Sequence, residues 1–125
     1  MQTVTPYLLY EDAAAALEFL QRAFGFQEIR RMAAAGGQVS HAELRIGDGH
    51  VHLGQPDEPT SPRRLGGATV LLYVIVDDVD AHYAQARAAG AEIIDEPADQ
   101  DYGDRRYAAR DPEGHVWYFA QPPAR

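Results

Sequence analysis

The chain has 125 residues, of which 46% are hydrophobic, 24% charged and 10% aromatic, which is typical of one globular domain. It has no cysteine, which excludes disulfides, thiolate nucleophiles and zinc–thiolate sites. All eleven basic residues are Arg, so a Lys Schiff base is excluded as well. The net charge of −8, without any basic cluster, argues against nucleic acid or an anionic membrane as a partner. The N-terminus lacks signal-peptide features and the longest apolar stretch, 68–76, is too short to span a bilayer, so we expect a cytoplasmic protein.

An internal repeat with an offset of 65 or 66 residues organises the chain. Three pairs of segments match in the same order: Tyr7–Asp12 with Tyr73–Asp78, Gly49–Val51 with Gly114–Val116, and Gln55–Pro56 with Gln121–Pro122. The repeat predicts a single domain, 1–125, made of two modules, 3–57 and 67–122, which a proline-rich linker, 58–66, joins.

The first module predicts a strand, a helix and three further strands. The first strand is expected over 3–10, and Asp12 then suits a helix N-cap. The apolar stripe of Leu17, Leu20 and Phe24 indicates the helix, which Gly25 suits as a left-handed C-cap. Glycine-rich turns separate the three remaining strands, which are expected over 27–32, 39–46 and 50–55.

The second module predicts the same order. A strand over 69–76 precedes Asp78 and a helical stripe that contains Val79, Tyr83 and Ala86. Three strands follow, over 92–95, 105–110 and 115–121. The predicted fold is therefore α+β, with two tandem βαβββ modules whose curved sheets face each other around a cleft.

This arrangement resembles the vicinal oxygen chelate superfamily, which includes glyoxalase I, extradiol dioxygenases, fosfomycin-resistance transferases and bleomycin-binding proteins. The segments that carry the resemblance open each module and form the last turn and strand: Leu9–Asp12, Gly25–Phe26, Asp77–Asp80, Ala89–Ala91 and Asp111–Trp117. Within the superfamily, 101–105 followed by 111–115 is similar to small glyoxalase-like and bleomycin-resistance-like proteins. The resemblance implies the glyoxalase-like fold and a homodimer, but no single chemistry.

The resemblance also implies four positions at which metalloenzymes of the superfamily hold a divalent metal. Counted from the acidic turns and from Gly49 and Gly114, these positions fall on residues without a carboxylate or an imidazole: Thr5, Leu53, Leu71 and Tyr118. We therefore predict no metal and no other cofactor. A shift of one residue would replace Leu53 by His52, which alone would not make a site.

Strand alternation predicts which side chains line the cleft. The cleft is expected to be lined by three tyrosines and several aliphatic side chains. Such a lining suits a small aromatic or amphipathic molecule. His41 is the repeat partner of Arg106, and the charged loop 99–107 could close over a ligand. The predicted ligand-binding residues are Thr5, Tyr7, His41, Leu53, Leu71, Tyr73, Tyr102, Arg106 and Tyr118. The alternatives are a packed core between the modules and a solvated loop.

The other histidines suggest mainly structural roles. His50 and His52 share one face of a strand, and we expect that face to lie away from the cleft or near the strand edge. His115 recurs in the repeat, which suggests a structural role at its turn, and His82 is expected to be solvated on the second helix.

Three functions remain open on the sequence. The first is a metal-free protein that binds a small molecule in the cleft between the modules. The second is a lyase, transferase or dioxygenase that uses a divalent metal on ligands such as His41, Glu43 and His52. The third is a cofactor-free isomerase or lyase with His41 or a tyrosine as general base. The sequence predicts no particular catalytic residue.

Overall fold

Two four-stranded sheets, each formed by one half of the chain, make up the fold of this computed structural model, which describes residues 2–124. The elements of the first half are β1 (Tyr7–Leu9), α1 (Ala13–Phe24), β2 (Gln27–Ala33), β3 (Val39–Ile46) and β4 (Gly49–Gly54), with a 3₁₀ turn at Ala35–Gly37. The elements that follow are α2 (Pro62–Leu65), β5 (Leu71–Ile75), α3 (Val79–Ala88), β6 (Glu92–Asp99), β7 (Arg105–Arg110) and β8 (Val116–Gln121).

The strand order is the same in both sheets: β1-β4-β3-β2 in the first and β5-β8-β7-β6 in the second. In each sheet the first strand of the module pairs in parallel with the last, and the other pairs are antiparallel. The predicted α+β fold with two βαβββ modules is thereby confirmed.

Equivalent side chains start the long helix of each module. The carboxylates of Asp12 and Asp78 each accept a backbone N–H three residues ahead, at 3.1 Å, as N-caps do. The repeated glutamines serve the same helix ends: Gln55 Oε1 and Gln121 Oε1 each accept the N–H of the first helical residue, at 2.9 Å. These bonds satisfy amide groups that have no partner within the helix. At the end of α1, Gly25 takes the left-handed conformation, with φ 75°.

One hydrophobic core joins the two modules. Phe24 at the end of α1 lies against Phe119 of the second sheet, with ring centroids 4.8 Å apart, and Phe26 lies 5.2 Å from Trp117. The rings of Trp117 and Phe119 are fully buried. The C-terminal end of α1 therefore reaches the second module's sheet, and α1 also packs against α3, so apolar surfaces of both modules are removed from water together.

A buried carboxylate reinforces this junction. Asp111, in the turn before β8, is 1% exposed and accepts hydrogen bonds from the Tyr10 hydroxyl at 2.5 Å and from Trp117 Nε1 at 3.1 Å. It also accepts the backbone N–H groups of Glu113 and His115. Burial, and then the charge of Asp111, raise the pKa of Tyr10 well above its usual value, so the phenol remains a donor.

The linker contains a short helix, α2, that the sequence analysis does not predict. Ser61 is its N-cap, and Arg64 bonds Glu11 at 2.6 Å. Arg63 donates to the carbonyl oxygen of Pro112 at 2.7 Å and pairs with Glu92 at 2.9 Å. The linker is thus attached to both modules by these contacts. Among residues 2–124, no helix is both long and apolar enough to cross a membrane, and the cytoplasmic location stays a prediction.

Candidate functional site

Each sheet has one face covered by the helices and the shared core, and one face without such cover. We call the uncovered faces the first and second open face. The first carries Tyr7 of β1, His41 and Glu43 of β3, and His52 of β4. The second carries side chains from three strands and the loop between β6 and β7: Tyr73, Arg106, Tyr118, Tyr102 and Asp104.

On the first open face, two imidazoles flank one carboxylate. Glu43 Oε2 lies 3.1 Å from His41 Nε2, and Glu43 Oε1 lies 4.0 Å from His52 Nε2. The other ring nitrogen of His41, Nδ1, is 2.8 Å from the Tyr7 hydroxyl. Hydrogen bonds from Arg30, then from His41, lower the pKa of Glu43 to about 2, so the carboxylate is ionised at neutral pH.

On the second open face, a cation lies over an aromatic ring. Arg106 Cζ is 4.6 Å from the ring centre of Tyr118, and the Tyr73 ring is 6.4 Å from that of Tyr118. The Tyr73 hydroxyl donates to Asp104 at 2.7 Å and is 3.1 Å from the Tyr102 hydroxyl. Burial, then the bonds to Tyr102 and Asp104, raise the pKa of Tyr73, which keeps this phenol neutral.

Arg106 has unused hydrogen-bonding capacity on this face. Its Nη1 atom is buried and has no hydrogen-bond partner among residues 2–124. The nearest carboxylate, that of Asp95, is 3.9 Å away, which is too far for a hydrogen bond. A buried donor without a partner is unusual in a folded protein, and the Arg106 side chain as a whole is 20% exposed.

The structure corrects the predicted position of Leu53. Leu53 is fully buried in the core, and His52 occupies the open face instead. The two modules differ in the length of the turn before their last strand. The first turn spans only Gly47 and Asp48, whereas the second spans 111–115, so the same count from the turn glycine reaches opposite faces of the two strands. Counting from the turn glycine therefore gives the wrong face in the first module and the right one for Tyr118 in the second.

The structure brings the predicted site residues together as two separate groups. Tyr7 and His41 meet on the first open face. The larger group meets on the second open face: Tyr73, Tyr102, Arg106 and Tyr118. Thr5 is exposed just before β1, and Leu71, at the start of β5, is 44% exposed.

Two grooves lie between the modules, along β5. One has a volume of about 380 Å³ and runs between β1 and β5 beneath the linker, with Tyr7, Leu9 and Val70 among its lining residues. The other has a volume of about 400 Å³ and is lined by Tyr73 and Ile75 together with residues of the first module. Their walls are mainly apolar, and Tyr73 belongs to both the second groove and the second open face.

The remaining histidines differ in part from expectation. The prediction that His52 points away from the site is wrong. His82 is half-buried rather than solvated: its ring nitrogens lie 2.6 Å from the Tyr107 hydroxyl and 2.8 Å from the Phe24 carbonyl oxygen. Burial lowers the pKa of His82. His115 has the expected structural role, since its Nε2 bonds the Leu9 carbonyl oxygen at 2.8 Å.

The metal site of the superfamily's metalloenzymes does not fit this chain. With the corrected register, the four corresponding positions hold Thr5, His52, Leu71 and Tyr118. His52 is the one strong donor of the four, whereas Leu71 offers no ligand atom and the neutral hydroxyls of Thr5 and Tyr118 bind divalent metals weakly.

Paired βαβββ modules with one open face each define a class of glyoxalase-like proteins. The sequence profile of the Glyoxalase/Bleomycin resistance protein/Dioxygenase superfamily matches residues 3–119, and the chain belongs to this family.

Two similar proteins cover nearly the whole chain. An uncharacterized protein of Mycobacterium bovis is 37% identical over 126 residues, which span 95% of this chain and 82% of that protein. TioX from Micromonospora sp. ML1, whose crystal structure is known, has 36% sequence identity to this chain. The two structures superpose with a TM-score of 0.79, and the match covers 99% of this chain and 98% of TioX.

A bleomycin-binding protein solved in complex with bleomycin shares the fold at 22% identity. Its TM-score is 0.72, and the match covers 97% of this chain and 98% of that protein.

Proposed function

We propose that this protein binds a small aromatic or amphipathic molecule between its modules, without a metal at the four positions where metalloenzymes of the superfamily hold one. The observation that carries the proposal is the second open face, where the Arg106 guanidinium covers the Tyr118 ring and keeps an unpaired donor. A planar ligand can stack on these groups, and an acidic or carbonyl group on it can accept from Arg106.

The grooves support a ligand of this kind. Their volumes, about 380 and 400 Å³, fall in the range of small-molecule sites, and their apolar walls would bury the body of an amphipathic molecule. Tyr73 connects the second groove with the polar groups of the open face. A ligand that spans both would gain apolar burial at one end and orientation at the other. The bleomycin complex of a distant relative supports small-molecule binding on this fold.

A homodimer is also part of the proposal. Large apolar side chains on β1 and β5 are unusually exposed in one chain, including Tyr7 at 51% and Ile75 at 57%. Exposed large apolar side chains on the edge strands of both sheets are candidates for an interaction site. We expect light scattering after size exclusion to give twice the chain mass of 13.8 kDa. A chain-sized mass at micromolar concentration would contradict the dimer.

Titration of the protein with a library of planar aromatic acids and amides tests the ligand-binding proposal. We expect at least one saturable interaction by calorimetry, accompanied by quenching of tyrosine fluorescence. The variants Tyr118→Ala and Arg106→Ala should each weaken it about tenfold, because a desolvated cation–aromatic contact contributes about 1–2 kcal/mol.

Tyr83→Ala is the matched control, since Tyr83 is another partly exposed tyrosine but lies on α3, where it bonds Glu96. Its affinity should equal that of the wild type. Equal affinities in all three variants, or no binding across the library, would contradict the proposal.

One observation favours a second function, a lyase, transferase or dioxygenase that depends on a divalent metal. His41, Glu43 and His52 converge on the first open face with the residue types that such a metal needs. Turnover of a substrate that requires added metal, and that Glu43→Gln abolishes, would establish this function in place of simple binding.

A further inference from the structure

The pleat of the first sheet brings three candidate metal ligands to one place. His41 and Glu43 are two residues apart on β3 and therefore share a face, and His52 on β4 is paired directly opposite Glu43. No loop has to close to assemble them, so the folded sheet itself fixes their positions.

The donor atoms are close enough for one ion. One ligand atom from each of the three side chains lies within 4.8 Å of the other two. A metal bound at about 2.0–2.2 Å at tetrahedral or octahedral angles needs donors about 2.8–3.6 Å apart. The separation of 3.1 Å between His41 Nε2 and Glu43 Oε2 already meets this requirement. His52 Nε2 lies 4.0 Å from the other carboxylate oxygen, Oε1, so a shared ion requires a rotation of the His52 or Glu43 side chain, or an ion that binds both oxygens of Glu43.

The residues next to the imidazoles suit ligation as well. The Tyr7 hydroxyl at His41 Nδ1 occupies the ring nitrogen that would not bind metal, an arrangement that fixes the orientation of a ligating histidine. Gly54 makes room for this contact, because a Cβ atom at position 54 would lie 2.5 Å from the Tyr7 hydroxyl. The exposed fractions of the His41, Glu43 and His52 side chains are 23%, 16% and 31%, so the donors are partly shielded yet accessible.

We propose that His41, Glu43 and His52 form a binding site for a divalent transition metal of the zinc, cobalt or nickel type. Two imidazoles and one carboxylate favour these ions over Mg²⁺ and Ca²⁺, which prefer sets made of oxygen ligands. Three protein ligands leave further coordination positions for water or for a donor atom of a small molecule.

Arg30 is the group that competes with the metal. Its guanidinium bonds Glu43 Oε2 at 3.0 Å, but its side chain is 71% exposed and the pair is a surface salt bridge. Such a pair is weak, so the arginine can move into solvent when a doubly charged ion arrives. Removal of the guanidinium by Arg30→Ala should therefore strengthen metal binding rather than weaken it.

The proposal does not depend on the binding of an aromatic molecule, and the metal alone tests it. Calorimetric titration of the purified, chelator-treated wild-type protein with ZnCl₂ should give one site per chain, whereas MgCl₂ should give none. CoCl₂ should produce visible absorption bands of a coordinated ion. His52→Ala and Glu43→Gln should each weaken zinc binding at least tenfold.

His50→Ala is the matched control, since His50 lies two residues from His52 on the same face of β4 but outside the cluster. Its zinc affinity should equal that of the wild type, and circular dichroism verifies that each variant is folded. Absence of zinc binding by the wild type would overturn the proposal. So would retention of zinc by folded His52→Ala and Glu43→Gln, or an equal loss in His50→Ala.

Discussion

The two open faces occupy equivalent positions of the repeat but differ in chemistry. Tyr7 is paired with His52 in the first sheet as Tyr73 is with Tyr118 in the second. Across the next pair of strands, Glu43 lies opposite His52, whereas Ala108 lies opposite Tyr118. The first face therefore presents two imidazoles and a carboxylate, and the second presents an aromatic surface covered by a cation.

The features that the modules share are those that hold the fold. Both helices have an Asp N-cap and a glutamine from the last strand region at their first amide. The covered faces are apolar in both sheets and contribute to one core. The comparison indicates that packing and capping restrict one side of each sheet, while the open side is free to carry a different chemistry in each module.

The turn before the last strand differs between the modules, because it holds a buried carboxylate only in the second, and Asp111→Ala should have the largest effect on stability. Loss of a buried acceptor that binds Tyr10, Trp117 and two backbone amides leaves several donors without partners. We expect a decrease of about 4 kcal/mol in the free energy of unfolding, measured by urea denaturation.

Asp48→Ala is the control for this experiment, because Asp48 occupies the corresponding turn of the first module and is exposed. Its effect should stay below about 0.5 kcal/mol. Equal destabilisation by both substitutions would mean that the two turns are energetically alike and that Asp111 has no special role at the junction.

Most of the fold could be predicted from the sequence, because strand and helix signals are local and the repeat supplies each of them twice. Which side chains of β4 lie on the open face is harder to predict from the sequence. The repeat offset is 66 at Tyr7 and Gln55 but 65 at Gly49, and that one-residue difference records the longer second turn. An offset of 66 from Tyr118 leads to His52, so the signal was present in the pairs that flank the turn.

Other site features depend on tertiary contacts that no local pattern encodes. The partial burial of His82 arises because the C-terminal end of α1 lies against α3, which brings the Phe24 carbonyl oxygen to its ring. The attachment of the linker helix also depends on tertiary contacts, since its arginines pair with Glu11 and Glu92, which are distant in sequence. These contacts follow from how the modules pack, which the sequence predicts only in outline.

The register of β4 can be tested by substituting two neighbours. Leu53→Ala should reduce the free energy of unfolding by about 3 kcal/mol, because it creates a cavity among fully buried side chains. His52→Ala, on the open face, should cost less than about 1 kcal/mol. Thermal or urea denaturation distinguishes the two, and the reverse order of effects would restore the face assignment that counting from Gly49 gives.

The smallest effect should come from the repeated glutamines, and it should be the same in both modules. Gln55→Ala and Gln121→Ala each remove one side-chain acceptor from a helical amide, which should cost about 1 kcal/mol of unfolding free energy. Because the two bonds have the same length and the same place in the repeat, the two values should agree within about 0.5 kcal/mol. A large cost at one position alone would show that the modules differ in their helix ends as well as in their open faces, and would weaken the view that only the open side of each sheet has diverged.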